Sequence, residues 1–142
     1  MTKTTVNNDS ATVGGITYNI PATDGQLIEA DFSANGTASD HVRGTPTIGD
    51  GTFQLPSAAG FTGTIMFAVK THCSDPTVLA GKHNIGCTAF GNFAYIAPAT
   101  GETIVGVATA LNSSLLNNSI PTNNTATLVG DGVSNWYLMG RN

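Results

Sequence analysis

Residues 52–70 constrain the fold of this chain more than any other stretch, because they have the pattern of a strand, a turn and a second strand. Phe53 and Leu55 alternate with polar residues, which is the period of a half-buried strand. Pro56 has no N–H to donate and therefore ends that strand. From Ile65 onward the apolar residues again occupy alternate positions, so the second strand has one wholly apolar face. We therefore expect a β core here and no catalytic element.

A near copy of the first part of this stretch precedes it in the chain. Segments 17–25 and 52–60, 35 positions apart, share the pattern T-[YF]-[NQ]-[IL]-P-[AS]-x-x-G. Both place an aromatic residue two positions before an aliphatic one, and both stop at a proline before a turn closed by glycine. The match indicates a strand–turn–strand unit that is used twice. The alternative is chance recurrence, because proline and glycine punctuate many β proteins.

The composition limits the classes of partner. Charged residues are 10% of the 142-residue chain, against roughly 25% in an average globular protein. Five basic against nine acidic residues give a net charge of −4, which argues against a nucleic-acid partner because phosphate neutralisation needs Lys and Arg. No apolar run reaches the ~20 residues that span a bilayer, and no signal peptide is evident, so we expect no membrane partner and synthesis in a cytoplasm. Few charges are present to protect strand edges, which favours an oligomer.

The first residues of the chain have no periodicity that would fix them in a core. We expect residues 1–12 to form an extended N-terminal arm and residues 13–142 a single β domain. After Met1 the arm has one large aliphatic residue, so it has too little apolar surface to pack on its own domain. The functional interpretation is an arm that pairs with a neighbouring subunit by strand addition, and the alternative is a frayed terminus. The candidate partner-binding residues are Thr2, Lys3, Thr4, Thr5 and Val6.

One cluster of potentially reactive side chains, which we call the His–Cys group, consists of His72, Cys73, His83 and Cys87. His72 and Cys73 are adjacent and would point to opposite faces of a strand, whereas zinc ligands are spaced several residues apart on a turn. We therefore predict no metal site, no cofactor and no catalytic residue. Cys73 and Cys87 are a candidate disulfide that would close a short loop in an oxidising medium. Two reduced, partly buried thiols are the leading alternative.

The remaining pattern is mostly β. Residues 89–98 predict a strand, residues 111–118 one helical turn, and residues 125–140 a closing hairpin. The chain thus predicts an all-β fold, a compact antiparallel sandwich or barrel-like domain.

A family resemblance rests on four motifs and their order. They are LPSAAG at 55–60, GETI at 101–104, TLVGDG at 127–132 and NWY at 135–137. In this order they resemble the β-rich module of many tailed-bacteriophage virion proteins, which include tail fibres and small capsid-associated proteins. The likeness covers residues 52–142 and is interrupted at residues 71–90 by the His–Cys group. It implies a homotrimer that binds or stabilises and does not catalyse.

These expectations lead to a capsid decoration (cement) protein on the outer surface of the virion. It would bind the major capsid protein where capsomers meet and stabilise the assembled shell by mass action. A compact chain of this length favours a cap on a surface over a long fibre. The alternative is a receptor- or glycan-binding tail fibre or tail tip, in which exposed Trp, Tyr and Asn side chains would face a carbohydrate.

Overall fold

A computed structural model describes residues 1–8, 11–31, 48–70, 94–105 and 125–141 and, of residues 69, 70, 140 and 141, the backbone alone. These ranges contain nine β-strands and no α-helix, so the predicted all-β class is confirmed for the described part of the chain. The strands are β1 (Thr2–Asn7), β2 (Ile16–Asn19), β3 (Gln26–Asp31), β4 (Gly51–Gln54), β5 (Thr64–Lys70), β6 (Ala94–Ala97), β7 (Thr103–Val105), β8 (Thr125–Gly130) and β9 (Asn135–Arg141).

The strands form two sheets, of which the larger is of mixed direction. One sheet has six strands in the order β1-β3-β5-β8-β9-β7, and the other has three strands in the order β2-β4-β6. The three-stranded sheet is wholly parallel. In the six-stranded sheet only β8 runs antiparallel to its neighbours. The prediction of an antiparallel domain is therefore wrong, because the proline-containing turns do not form hairpins but carry the chain from one sheet to the other.

The repeat noticed in the sequence is a structural repeat. The two copies stack in parallel register, with Thr17 beside Thr52 and Tyr18 beside Phe53. A third strand–turn–strand unit, which the sequence comparison missed, runs through β6 and β7 and contains Pro98 and Gly101. One glycine in each of the three turns, at positions 25, 60 and 101, has φ of 74°, 76° and 83° respectively. This left-handed conformation is open to glycine at little cost, and it lets each turn reverse the chain in a few residues.

The C-terminal hairpin interrupts the stacking of these units. β8 and β9 are antiparallel neighbours, as the sequence predicts. They insert between β5 and β7, since β5 pairs with β8 and β7 pairs in parallel with β9. In an uninterrupted stack of the three units, β7 would lie next to β5. It lies two strands further along the sheet, because β8 and β9 come between them.

One core is shared by both sheets. Phe53 of the three-stranded sheet packs on Phe67 of the six-stranded sheet, with ring centroids 5.6 Å apart. Ile65 and Phe67 are fully buried, so the apolar face predicted for the second strand is confirmed. Near the hairpin, Phe61 packs on Trp136 at 5.2 Å. The two sheets thus bury their facing sides against each other.

The N-terminal segment is a strand of this domain. β1 pairs in parallel with β3 along its whole length, from Thr2 beside Gln26 to Asn7 beside Asp31. Val6 is buried and belongs to the core. The expectation that residues 1–12 form an arm too poor in apolar surface to pack on their own domain is wrong. A strand of six residues points only three side chains inward, and the register places Val6 beside Ala30 and Thr4 beside Ile28, both of which are fully buried on β3.

Several sequence predictions fall outside the described residues. They are the His–Cys group with its candidate disulfide Cys73–Cys87, and the helical turn at 111–118. Within the described ranges, no three His, Cys, Asp or Glu side chains are grouped as a metal site would require. The same part of the chain has no helix long and apolar enough to cross a membrane.

Candidate interaction surface

The side of the six-stranded sheet that faces away from the core, which we call the outer face, carries side chains that can meet a partner. Side chains alternate between the two sides of a strand. In β3 and β8 the inward set is buried and the outward set is not, and in β1 Val6 alone is buried. The described outward residues are Lys3, Thr5, Asn7, Leu27, Glu29, Asp31, Thr64, Met66, Ala68, Thr125, Thr127, Val129, Asn135, Tyr137, Met139, Thr103 and Val105. The polarity of these side chains changes across the outer face, from β1 at one edge of the sheet to β7 at the other.

Charged side chains of the outer face lie on β1 and β3. The Lys3 ammonium is 3.3 Å from Glu29 Oε1, and the Thr5 hydroxyl donates to the same oxygen at 3.2 Å. The Lys3 side chain is 54% exposed, so the ion pair is screened by solvent and stabilises the fold little.

An apolar cluster, which we call the Tyr137 patch, lies on the opposite side of the outer face. It consists of Val105, Tyr137 and Met139, which are 41%, 40% and 67% exposed, with half-buried Val129 beside them. Tyr137 is the direct neighbour of Val105 on one side and of Val129 on the other. No charged residue is among the described outward side chains of β7, β8 and β9. The patch is thus a contiguous, uncharged surface.

The turn between β8 and β9 holds the Tyr137 patch in place. Asp131 Oδ1 accepts hydrogen bonds from the backbone N–H groups of Asn135 at 3.0 Å, Val133 at 2.8 Å and Ser134 at 2.9 Å. These bonds, that of Asn135 most of all, lower the pKa of the Asp131 carboxyl to about 2. A carboxylate that accepts several backbone N–H bonds is stabilised in its charged form. Asp131 therefore fixes the turn from which β9 and Tyr137 start.

Two more carboxylates tie the turns of successive units together. Asp24 Oδ1 in the first turn accepts the N–H of Thr64, at the start of β5, at 2.7 Å. Glu102 in the third turn accepts the N–H of Ala58 at 2.9 Å and the hydroxyl of Ser57 at 2.6 Å. Each carboxylate thus links its own turn to the second unit. Asp24, Glu102 and Asp131 thus have structural roles, because each holds a turn in place.

The hairpin also packs tightly on the second turn. A Cβ added at Gly130 would lie 2.5 Å from the carbonyl oxygen of Phe61. Gly130 N–H donates to the carbonyl oxygen of Gly63 at 3.0 Å, and Gly60 N–H donates to that of Gly132 at 2.8 Å. Only glycine allows this approach at position 130 without a shift of backbone. The hairpin is therefore fixed relative to β5.

Trp136 does not present its ring to solvent. It is fully buried and packs against Phe61, and Tyr95 is also fully buried. The expectation that an exposed tryptophan would face a carbohydrate is wrong, because Trp136 points inward on β9 and its neighbour Tyr137 points outward. Alternation along β9 places Tyr137 and Met139 on the side opposite Trp136, and this signal in the sequence can be used once Trp136 is known to face the core.

The candidate arm residues are divided between the two sides of β1. Thr2, Lys3 and Thr5 are exposed, Thr4 is half-buried and Val6 is buried. Lys3 and Thr5 contact Glu29 of the same chain. Among the described residues no strand pairs with the outer edge of β1. That edge is where a further strand could add.

Comparison with known proteins gives no relative: no protein-family model, no curated protein sequence and no solved structure matches this chain.

Proposed function

We propose that this chain is a structural protein of a tailed-bacteriophage virion, and that it acts as a capsid decoration (cement) protein without enzymatic activity. In this proposal it forms a homotrimer of sandwich-like domains on the outer capsid surface. Its partners are the major capsid protein and other copies of itself. The sequence resemblance over residues 52–142 supports the phage origin.

The outer face is the observation that carries the proposal. It is a sheet surface that is charged on the β1 side and apolar on the β9 side, where no charged outward side chain is described, and its described residues hold no cluster of metal-binding groups. Flat apolar surface of this kind is typical of protein–protein contact sites. The outer edge of β1 adds a second mode of contact, since an edge strand can pair with an extended segment of a partner.

The proposed mechanism is thermodynamic. A protein that binds the assembled shell and not its separated subunits stabilises the shell by mass action. No bond is made or broken, so the protein needs shape, apolar contact area and strand edges. Charged residues make up only 10% of the chain. Few charges would therefore have to leave water when such contacts form, and the desolvation cost is small.

The proposal is tested by location and by the effect on shell stability. Antibodies against the chain, used for immunogold labelling of virions that carry it, should label the capsid surface. Shells stripped of the protein should rupture at a lower temperature, and adding the purified chain, but not an unrelated acidic protein of similar mass, should restore the original temperature. Unlabelled heads, or a rupture temperature that does not respond to the added chain, would contradict the proposal.

A tail fibre or tail tip is the second candidate function. The observation in its favour is the repetition of strand–turn–strand units along one direction, which leaves strand edges of both sheets at each end of the stack. Such ends suit extension along an axis. The same immunogold experiment separates the two candidates, because a tail protein would be labelled on the tail.

A further inference from the structure

We propose that a second copy of this chain packs on the Tyr137 patch, so that copies associate through the apolar side of the outer face. The inference deepens the proposed function, on whose assembly into oligomers it rests, by assigning the surface of self-contact. It places that contact on β9 and β7, at the opposite side of the sheet from the N-terminal strand.

The exposure of the patch is the first argument. Val105, Tyr137 and Met139 are large apolar residues, and between 40% and 67% of each is in contact with water. They are neighbours on one sheet surface, because Val105 and Tyr137 are register partners and Met139 follows two residues later on the same strand. Scattered exposed apolar residues need no explanation, whereas a contiguous group on a rigid surface marks a contact site.

The chemistry of the patch selects the occupant. With no charged side chain described on the outward side of β7, β8 and β9, the patch offers no ion-pairing group to a phosphate, a lipid headgroup or a charged peptide. Its partner surface must be apolar and uncharged. The patch of a second copy meets this requirement, and in the proposed homotrimer the patches of the three chains would face one another around the three-fold axis. Lys3 and Glu29, which are paired with each other on the far side of the face, would then stay at the solvated rim.

The size of the face is sufficient for a stable contact. Six strands spaced by about 4.8 Å span about 24 Å, and a seven-residue strand extends about 23 Å. The projected area is then about 550 Å², and the accessible area of a surface covered with side chains is larger than its projection. A standard interface buries about 800 Å² per partner. The whole outer face, of which the Tyr137 patch is the apolar side, is of that order.

The test compares the same substitution at two exposed valines. Val105→Lys places a charge in the patch, whereas Val133→Lys places one in the β8–β9 turn, where the valine is 71% exposed and off the outer face. Sedimentation equilibrium from about 1 to 100 µM should show the unaltered chain and Val133→Lys as the same oligomer. Val105→Lys, and likewise Met139→Lys, should raise the dissociation constant at least tenfold, because a charge buried without a partner is costly. The emission of Trp136, the only tryptophan, verifies that each variant is folded.

Two results would overturn the inference. One is an unaltered chain that sediments as a monomer at about 100 µM, and the other is equal association of the Val105→Lys and Val133→Lys variants. Failure of the proposed function has a different signature, since the chain would then form its patch-dependent oligomer and yet label no capsid. A folded, monomeric Met139→Lys variant supports the inference whether or not it binds the shell.

Discussion

Replacing Val6 by alanine tests whether the N-terminal segment is an integral strand of the domain. Val6 is 7% exposed and packs in the core. The substitution removes two methyl groups, each worth about 0.8 kcal/mol of transfer free energy, and leaves a small cavity. We expect the free energy of unfolding to fall by about 2 kcal/mol. With a urea m value of about 2 kcal/mol/M, the midpoint of unfolding should fall by about 1 M.

Urea unfolding followed by the fluorescence of Trp136 is a suitable assay, because this buried ring reports on the core and no other tryptophan contributes. Thr5→Ala is the matched control on the opposite side of the same strand. It removes one exposed hydrogen bond to Glu29 and should change the free energy of unfolding by less than about 0.5 kcal/mol. Both variants are compared at one protein concentration, since association alters apparent stability. If Val6→Ala unfolds at the same urea concentration as the unaltered chain, β1 is a free arm and our description of the sheet edge is refuted.

Three further outcomes are expected. Gly130→Ala should lower the free energy of unfolding by about 1–3 kcal/mol, because the added Cβ would lie 2.5 Å from the carbonyl oxygen of Phe61. Thermal denaturation measures this, and an unchanged melting temperature would show that the hairpin does not pack on the second turn. The stability contributed by Asp131 should be fully present above pH 3.8 and be lost as the pH falls through about 2, because the folded state holds its pKa below the unfolded value. Asp131→Asn should therefore unfold more easily than the unaltered chain at pH 7 and lose less stability on acidification, and parallel pH profiles would contradict this. Dialysis against a chelator should leave the melting temperature unchanged, whereas a large drop would show that the His–Cys group binds a metal.

Local patterns in the sequence were sufficient for individual strands and insufficient for their pairing. The alternation around Phe53 and Phe67 predicts two strands whose inward faces are buried, and both faces are buried. Strand direction is different, because it depends on where the chain goes after each turn. The turn that begins at Pro56 resembles a hairpin connection in composition, yet it delivers β5 to the other sheet, beside β3 and not beside β4. No residue between the two strands encodes that choice alone.

The interaction surface was missed for a related reason. A search for chemistry favours His, Cys and charged residues, and the Tyr137 patch contains none of them. Its signal is the parity of β9, where the side chain on one side of the backbone is buried and the next is exposed. Parity becomes informative only once Trp136 is known to face the core, which depends on contact with Phe61, 75 residues earlier in the chain.

The position of the C-terminal hairpin has a consequence for biosynthesis. In the sheet, β7 pairs with β9, but on the ribosome residues 103–105 emerge well before residues 135–141. Among the described strands β7 pairs with β9 alone, so it lacks this partner until β9 has been synthesised, and the β8 side of β5 stays open until β8 has been made. Pairings between segments far apart in the chain form late and slowly, and unpaired strand edges of incomplete chains are sites of aggregation. The sheet is thus closed only when residues 125–141, the last seventeen described residues, have been synthesised. A chain that stops before residue 125 leaves two strand edges open, one on β5 and one on β7.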